Sequence, residues 1–369
     1  MTNFFPGARG HFTRRRFLRS AAVAAVGAGT HSFAAQDLSR TSPLLALQKA
    51  SKFSDKILGV YTVQHQLLND PKAAAMIEDG FALIADGNDL KFSNRLRPTP
   101  DTFNFVPGDI AVDWAQQHHK LFRGHCLVWW NALPNWFASY VTQKNAKQVM
   151  VKHIQTVVGH YAGKVYSWDV VNEPIYHDGR PDGLRYKPWV QLLGPEYIDI
   201  AFHAAAEADY KAHRVLNECY IEHATPQEQT RRAQLLALMT RLVKSGVPVT
   251  AVGIQGHLRG NTPLDGPGLT YFMKQIHDLG LDIMITELDV DDFGIRQDQV
   301  SQVVADKYSQ FLDIVSPFVR VITFEALEDD VAAPHVHNLF TRDLNPSGST
   351  YLPARAFGPA MTAIQRKHP

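Results

Sequence analysis

The sequence predicts a single (β/α)8 barrel of the TIM type, and three observations lead to that fold class. Strand-like apolar runs recur eight times, segments with helical periodicity lie between them, and no linker or composition break divides the chain after about residue 42. Alternating strands and helices indicate parallel βα units, and eight such units close naturally into a barrel. A doubly wound open sheet is the alternative fold, but no G-x-G-x-x-G follows the first run to support it.

The predicted strands are short and rich in β-branched or aromatic residues, which is typical of buried strands. They cover residues 57–63, 81–85, 121–128, 165–171, 214–216, 249–254, 281–285 and 319–324. The clearest helical segments cover residues 145–161, 195–210, 228–245, 268–279 and 299–315. In such a barrel the strands end together at one rim, and the active site lies there.

The first 35 residues predict an export signal rather than a part of the barrel. Arg14, Arg15 and Arg16 precede a short run of small apolar residues over 20–29, and small residues follow at 32–35. This pattern is typical of a twin-arginine signal, and its apolar run is too short to span a bilayer. We therefore expect export to the periplasm or the medium, no membrane anchor after signal removal, and one catalytic domain over residues 36–369.

The composition of the 369-residue chain is that of an ordinary globular protein. It is 45% hydrophobic with a formal charge of +1, so nothing indicates a nucleic-acid or strongly acidic partner. Cys126 and Cys219 lack the spacing of a metal site. Two buried free thiols are expected, although an exported protein could also pair them. We expect a monomer that needs no cofactor.

Polar and aromatic residues follow most of the predicted strands, at the rim where they would meet. Asn172 and Glu173 follow the fourth run, and Glu287 and Asp289 follow the seventh. The remaining strand ends contribute His125, Trp129, Trp130, Asn217, Glu218, Gln255, His257 and Glu325. Any one of these strand ends could carry a polar residue simply because the strand reaches solvent. Because polar and aromatic residues follow so many strands at the same rim, the whole set instead indicates an active site.

Two glutamates on nearly opposite strands predict paired carboxyl chemistry. A pair about 5–5.5 Å apart is the arrangement of a retaining glycosidase, with one acid/base and one nucleophile. The nucleophile must stay ionised, whereas the acid needs a raised pKa. Asn172, beside Glu173, is expected to bind a sugar hydroxyl, and His257 to bond Glu287 or Asp289. Tryptophan faces at the rim suit the C–H-rich faces of pyranose rings.

A divalent metal site is the rival chemistry, because the histidines and glutamates of the rim are suitable ligands. However, no H-x-H or H-x-x-x-H pair stands at the end of a strand run. The H-x-H formed by His335 and His337 lies in the loop after the eighth run. A serine nucleophile has less support, since no G-x-S-x-G elbow is present. We therefore expect no bound metal.

Four motifs resemble glycoside hydrolase family 10, the β-1,4-xylanases and their relatives. They are R-G-H-C-L-V-W (123–129), W-D-V-V-N-E-P (168–174), G-I-Q-G-H (253–257) and I-T-E-L-D (285–289). The resemblance runs from about residue 57 to the C-terminal helix. It implies a (β/α)8 barrel that hydrolyses β-glycosidic bonds with retention, with Glu173 as the acid/base and Glu287 as the nucleophile.

The resemblance also implies which residues bind the sugar. Asn88 and Lys91, in A-D-G-N-D-L-K-F, match two polar contacts to the glycone. The positions around the sugar at the cleavage point match His125, Asn172, Gln255 and His257. The implied partner is a β-linked polysaccharide or oligosaccharide.

The chain departs from the family pattern at residues that are expected to line the sugar-binding cleft. Gly87 replaces a glutamate, Trp130 replaces a histidine, and Glu325 stands where the first of two tryptophans is expected. Drift in a xylanase with compensating loops is one explanation. Altered specificity is the other: Trp130 would rebuild a stacking face, and Glu325, with His335 and His337, would contact a group that xylose lacks.

The expected function is therefore endo-1,4-β-xylanase activity on xylan or xylo-oligosaccharides. Two alternatives stay open. One is a β-glycosidase of altered specificity, either exo-acting or active on another β-glycoside or glucan. The other is a barrel that binds carbohydrate without turnover, which the presence of both glutamates argues against.

Overall fold

Eight parallel strands close into one barrel in this computed structural model, which describes residues 55–176, 179–329, 335–345 and 348–366. In chain order, the described strands are β1 (Ile57–Thr62), β2 (Leu83–Asp86), β3 (Leu121–Gly124), β4 (Ser167–Asn172), β5 (His213–Glu218), β6 (Ala251–Ile254), β7 (His257–Arg259), β8 (Asp282–Asp291), β9 (Val321–Phe324), β10 (Val336–His337), β11 (Phe340–Asn345) and β12 (Gly348–Pro353). The barrel order is β1-β2-β3-β4-β5-β6-β8-β9, all parallel.

Strand β9 pairs with β1, which closes the barrel. The register runs from Ile57 opposite Val321 to Val60 opposite Phe324. This pairing leaves the eight-stranded sheet without an open edge and excludes the doubly wound alternative. All eight predicted strands are confirmed. Outside the barrel, β7 and β10 pair with the C-terminal half of β8, and β11 and β12 form an antiparallel hairpin.

Helices connect the barrel strands and begin at recognisable signals. They are α1 (Gln64–Leu68), α2 (Pro71–Gly80), α3 (Val106–Gln117), α4 (Phe137–Tyr140), α5 (Ala146–His160), α6 (Pro188–Leu193), α7 (Tyr197–Ala208), α8 (Pro226–Lys244), α9 (Gly266–Asp278), α10 (Val300–Val315) and α11 (Phe357–Gln365). Asp70, Thr225 and Asp265 each accept a backbone N–H of the following first turn, and a proline, which cannot donate, stands one or two residues after each of them. The five predicted helices are confirmed.

The core has two parts. A large apolar cluster contains residues from the helices and from the barrel strands. A smaller, separate cluster is built from five barrel strands, by Leu83, Val215, Ala251, Met284 and Val321. Polar side chains continue from this small cluster toward the rim, because Arg123 contacts the Met284 sulfur at 3.5 Å and then Asp169. The strands therefore change from apolar contacts to charged ones as they approach the rim.

Two glycines in barrel strands make room for larger side chains. A methyl group on Gly124 would overlap the indole of Trp168, which is buried on the adjacent strand β4. A methyl group on Gly253 would overlap the side-chain oxygen of Asn217 on β5. The second glycine bears on the site below, because Asn217 contacts Glu287.

Several expectations concern the chain outside the barrel. The export signal predicted over residues 1–35 lies outside the described residues and stays a prediction, as does the domain start at residue 36. Asp330, which follows the eighth run, also lies outside them. Within the described ranges, no helix has both the length and the apolar character needed to cross a membrane. Cys126 and Cys219 are buried free thiols, as expected.

Candidate active site

The two strands that carry the glutamates lose their regular pairing near the rim. The register of β4 against β5 shifts between Asp169 and Val171, and that of β8 against β9 shifts between Ile285 and Leu288. Such irregularities change the direction in which side chains point and recur next to active sites. Glu173 itself has φ +52°, a left-handed conformation that few residues other than glycine adopt.

Amide side chains connect the two glutamates. Asn217 Nδ2 donates to Glu287 Oε1 at 2.6 Å and to Asn172 Oδ1 at 2.9 Å. Gln255 Nε2 donates to the same Asn172 oxygen at 3.3 Å and to Glu173 Oε1 at 3.4 Å. Both carboxyl groups therefore belong to one hydrogen-bonded network across the barrel mouth. The sequence placed Asn217 at this rim, at the end of β5, but predicted no role for it.

Glu287 is buried between two histidines. His257 Nε2 lies 3.5 Å from Glu287 Oε2, and His125 Nδ1 lies 3.9 Å from Oε1. Burial alone would raise the pKa of Glu287, but His125, His257 and the Asn217 amide outweigh it and lower the pKa to about 2. The carboxyl group is therefore ionised throughout the neutral pH range, as a nucleophile requires.

Both histidines are oriented by a second carboxylate. His257 Nδ1 lies 2.9 Å from Asp289 Oδ1, and His125 Nδ1 lies 2.9 Å from Asp169 Oδ2. Burial would lower the pKa of His257, but Asp289 and Glu287 raise it well above its ordinary value. The structure thus places His257 between Glu287 and Asp289, the two partners that the sequence suggested for it.

Arg123 already binds the aspartate that a metal site at this position would use. His125, Asp169 and Glu287 offer ligand atoms within 4.8 Å of one another. However, the Arg123 Nη2 atom contacts both Asp169 oxygens at 2.7 Å, and both side chains are fully buried. The carboxylate is therefore neutralised by a resident guanidinium, and this group of residues does not fit a divalent ion.

Replacing Arg123 by methionine is expected to lower the free energy of unfolding by about 3–5 kcal/mol, because Asp169 would remain buried without its cation. Chemical denaturation at neutral pH measures the change. The matched control is Arg241→Met, which breaks a partly exposed pair in which Arg241 Nη1 contacts both Asp199 oxygens at 2.8 Å. Exposed pairs contribute about 0–1 kcal/mol. Equal losses in the two variants would contradict a structural role for the buried pair.

Glu173 has a different environment from Glu287. Trp130 Nε1 donates to Glu173 Oε2 at 2.9 Å, and Arg185 Nη2 lies 3.7 Å from the same oxygen. The Arg185 guanidinium also covers the Trp130 ring at 4.7 Å and donates through Nε to the Glu173 carbonyl oxygen at 3.0 Å. Trp130, expected only as a stacking wall, therefore also holds this carboxyl group. Arg185 lies in the loop after β4, where no sequence pattern marked it.

Aromatic side chains form the walls of the cleft beside Glu173. A cavity of about 320 Å³ is lined partly by Trp129, Trp130, Tyr176 and Tyr220. Both tyrosines are 44% exposed, and arginine guanidinium groups lie over their rings, Arg185 over Tyr176 at 4.5 Å and Arg231 over Tyr220 at 5.7 Å. They were not predicted, because both lie in loops without periodicity.

The expected glycone contacts lie near Trp129. Lys91 Nζ is 5.3 Å from the centre of the Trp129 ring and 3.5 Å from Asn88 Oδ1. The structure therefore brings Asn88, Lys91 and Trp129 together on one wall. Gly87 precedes Asn88, and a methyl group there would meet only the Tyr61 ring at 3.5 Å.

The structure corrects one expected grouping, that of Glu325 with His335 and His337. His335 Nδ1 lies 3.0 Å from Asp292 Oδ1, and His337 Nε2 lies 2.9 Å from Asp292 Oδ2. The antiparallel pairing of β10 with the end of β8 brings these rings to Asp292. Glu325 instead faces Glu287, whose charge, after burial, is the main reason that the pKa of Glu325 rises to about 8.

The comparison with known families decides the classification. The model of glycosyl hydrolase family 10 matches residues 46–330, more than half of the chain. The chain belongs to glycosyl hydrolase family 10. The family resemblance proposed from the four motifs is thereby confirmed, and so is the barrel fold.

Individual relatives of this family 10 chain carry xylanase names. Endo-1,4-beta-xylanase A of Caldicellulosiruptor sp. (strain Rt8B.4) is 34% identical over 294 residues, which cover 73% of the chain but only 41% of that relative. Beta-1,4-xylanase of Dictyoglomus thermophilum is 32% identical over 270 residues, which cover 69% of the chain and 73% of the relative. The crystal structure of xylanase 10B from Thermotoga petrophila RKU-1 in complex with xylobiose aligns with a TM-score of 0.77 and 26% identity, covering 86% of this chain and 97% of that one.

Proposed function

We propose that this family 10 chain is a retaining endo-1,4-β-xylanase that acts on xylan or xylo-oligosaccharides, with Glu287 as nucleophile and Glu173 as acid/base. The observation that carries the proposal is the contrast between the two carboxyl groups. Glu287 is held ionised between His125 and His257, whereas Glu173 lies at the aromatic cleft under the indole N–H of Trp130. Two carboxyl groups in different environments can take the two roles of a double displacement.

In the first step, a Glu287 oxygen attacks the anomeric carbon and forms a covalent ester. The bond from that carbon to the leaving sugar oxygen breaks, and Glu173 transfers its proton to that oxygen. In the second step, the Glu173 carboxylate takes a proton from water, whose oxygen attacks the same carbon. The ester bond then breaks, Glu287 leaves as a carboxylate, and two inversions give net retention.

The surrounding residues are assigned by their contacts. Asn172 and Gln255 lie between the two carboxyl groups, where they can bind the sugar hydroxyl next to the reacting carbon. His257, held by Asp289, fixes the orientation of Glu287. Trp129 and Trp130 offer ring faces to neighbouring sugar units. The xylanase names of the relatives and the xylobiose bound to the Thermotoga petrophila protein support a xylose-based substrate.

The proposal is tested by following xylan or xylohexaose hydrolysis with proton NMR. The β-anomer of the new reducing end is expected to appear first and to mutarotate afterwards. Product lengths taken early in the reaction are expected to include internal cleavage products, which exo attack does not give. Immediate appearance of the α-anomer would contradict retention. Absence of hydrolysis together with tight oligosaccharide binding would instead support the non-catalytic alternative.

A further inference from the structure

Some buried polar atoms have no hydrogen-bond partner among the described residues, and two of them lie on residues of the first and last barrel strands that interact with Glu287. These two are the Tyr61 hydroxyl and Glu325 Oε2. Tyr61 is only 6% exposed. Most buried polar groups in proteins are hydrogen-bonded, and one that is left unpaired costs about 1–3 kcal/mol. Where such atoms lie beside a candidate ligand site, a polar group of the ligand can provide their partner.

The fold places these two residues side by side. Val60 pairs with Phe324 in the parallel register of β1 and β9, so Tyr61 and Glu325 are the next residues on adjacent strands. The Glu325 N–H donates to the Leu288 carbonyl oxygen at 3.1 Å, one residue beyond Glu287. After burial, the charge of Glu287 is the largest cause that raises the pKa of both Tyr61 and Glu325. The two side chains therefore border the same carboxylate.

The position of this pair suggests which part of the sugar it meets. Glu287 lies on β8, and different groups stand on its two sides in the barrel. On one side, strands β4 to β6 carry the amides of Asn172, Asn217 and Gln255. On the other side, strands β9 and β1 carry Glu325 and Tyr61. In a pyranose, the anomeric carbon has two ring neighbours: C2 with its hydroxyl group, and the ring oxygen, beyond which lies C5. If the amides bind the C2 hydroxyl, the pair on the opposite side meets the substituent of C5.

We propose that Tyr61 and Glu325 form a pocket for the hydroxymethyl group of a hexopyranosyl unit bound at Glu287. The inference rests on the proposed function, because it takes Glu287 to be the residue that meets the anomeric carbon. Xylose carries only hydrogens at C5 and would leave both polar atoms unpaired. A hydroxymethyl oxygen can accept from the tyrosine and exchange a second hydrogen bond with the carboxyl group. The site thereby admits glucose-configured units in addition to xylose.

Binding of two iminosugars tests the pocket without requiring turnover. Deoxynojirimycin has the glucose configuration, and its xylose-configured counterpart lacks only the hydroxymethyl group. Calorimetry on the wild type is expected to show tighter binding of deoxynojirimycin by about tenfold or more, since each neutral hydrogen bond contributes roughly 0.5–1.5 kcal/mol. Tyr61→Phe and Glu325→Ala are each expected to reduce that ratio several-fold while leaving the affinity for the counterpart within about twofold.

Two further variants sharpen the result. Tyr210→Phe removes the hydroxyl of a tyrosine that is 75% exposed after α7, and it is expected to leave the ratio unchanged. Glu325→Trp fills the pocket with an indole and is expected to favour the counterpart. Tyr61→Phe removes a single oxygen atom, so this variant tests the pocket even where the Glu325 variants do not fold.

Equal affinity of the wild type for both iminosugars would contradict the proposal that Tyr61 and Glu325 form this pocket. Equal weakening of both by Tyr61→Phe would also overturn it. Neither result would affect xylan hydrolysis, which tests the proposed function separately. Conversely, a selective pocket in a protein that hydrolyses no β-glycoside would refute the proposed function alone.

Discussion

Replacing Glu287 by glutamine is expected to lower kcat/KM for xylan by at least about 10³-fold, because the covalent step loses its nucleophile. The substitution keeps the size of the side chain and its contact with Asn217. It removes one of the negative charges that raise the pKa of His125 and His257. Initial rates of reducing-sugar release from xylan measure the effect.

The control for this variant is Glu207→Gln. Glu207 is exposed on α7, on the outside of the barrel, and bonds only Gln155 at 3.0 Å among the described residues. The Glu207→Gln variant is expected to retain wild-type activity. If the Glu287 variant also retained activity within a factor of a few, the retaining mechanism proposed above would be refuted. Oligosaccharide binding by the variant distinguishes lost chemistry from lost folding.

Replacing Glu173 by alanine is expected to affect substrates according to their leaving groups. Xylan and xylo-oligosaccharides have a poor leaving oxygen that needs a proton, so kcat/KM should fall by about 10²–10⁴-fold. A dinitrophenyl β-xylobioside has a leaving group that needs no proton, so its kcat/KM should change by less than about tenfold. Comparing the two substrates on one enzyme preparation measures the difference.

A small nucleophile provides the second part of this experiment. Azide needs no general base, so it is expected to accelerate turnover of the aryl glycoside by the Glu173 variant and to give a β-glycosyl azide. The wild type should show no such acceleration. Equal losses on xylan and on the aryl glycoside, without an azide effect, would show that Glu173 is not the acid/base.

The sequence predicted the fold because strand composition and helix periodicity are local properties. Runs of buried residues predicted the eight barrel strands, and amphipathic runs predicted five of the helices. The parallel barrel also explains why the sequence could place Glu173 and Glu287 at one rim. Residues that end parallel strands share one rim, so their spacing along the chain does not matter. Asn217 also ends a parallel strand, so the same rule could have predicted its contact with Glu287.

Other site features depend on tertiary contacts that no local pattern encodes. Arg185 approaches Glu173 from a loop, and its guanidinium lies over the Trp130 ring. Tyr61 lies inside the first strand and reads as an ordinary buried aromatic residue. Its unpaired hydroxyl becomes visible only when β1 is placed beside β9. His335 and His337 were misplaced because their loop pairs with the end of β8.

The family motifs predict the reaction in more detail than they predict the sugar. Asn172, Gln255 and His257 match the family pattern, and the structure joins them to the two carboxyl groups in one network. Glu325 departs from the pattern and faces the proposed nucleophile. We therefore expect Glu325 to change which sugar unit binds and to leave the proposed chemistry of Glu173 and Glu287 in place.

Covalent trapping tests the assignment of Glu287 most directly. A dinitrophenyl 2-deoxy-2-fluoro-β-xylobioside forms the glycosyl-enzyme readily, but its fluorine slows the second step by disfavouring an oxocarbenium-like transition state. Incubation followed by proteolysis and mass spectrometry is expected to find one fluoroglycosyl group on the peptide that contains Glu287, with fragment ions that place it on this residue. A label on Glu325 or Asp289, or inactivation of the Glu287→Gln variant at the wild-type rate, would contradict the account.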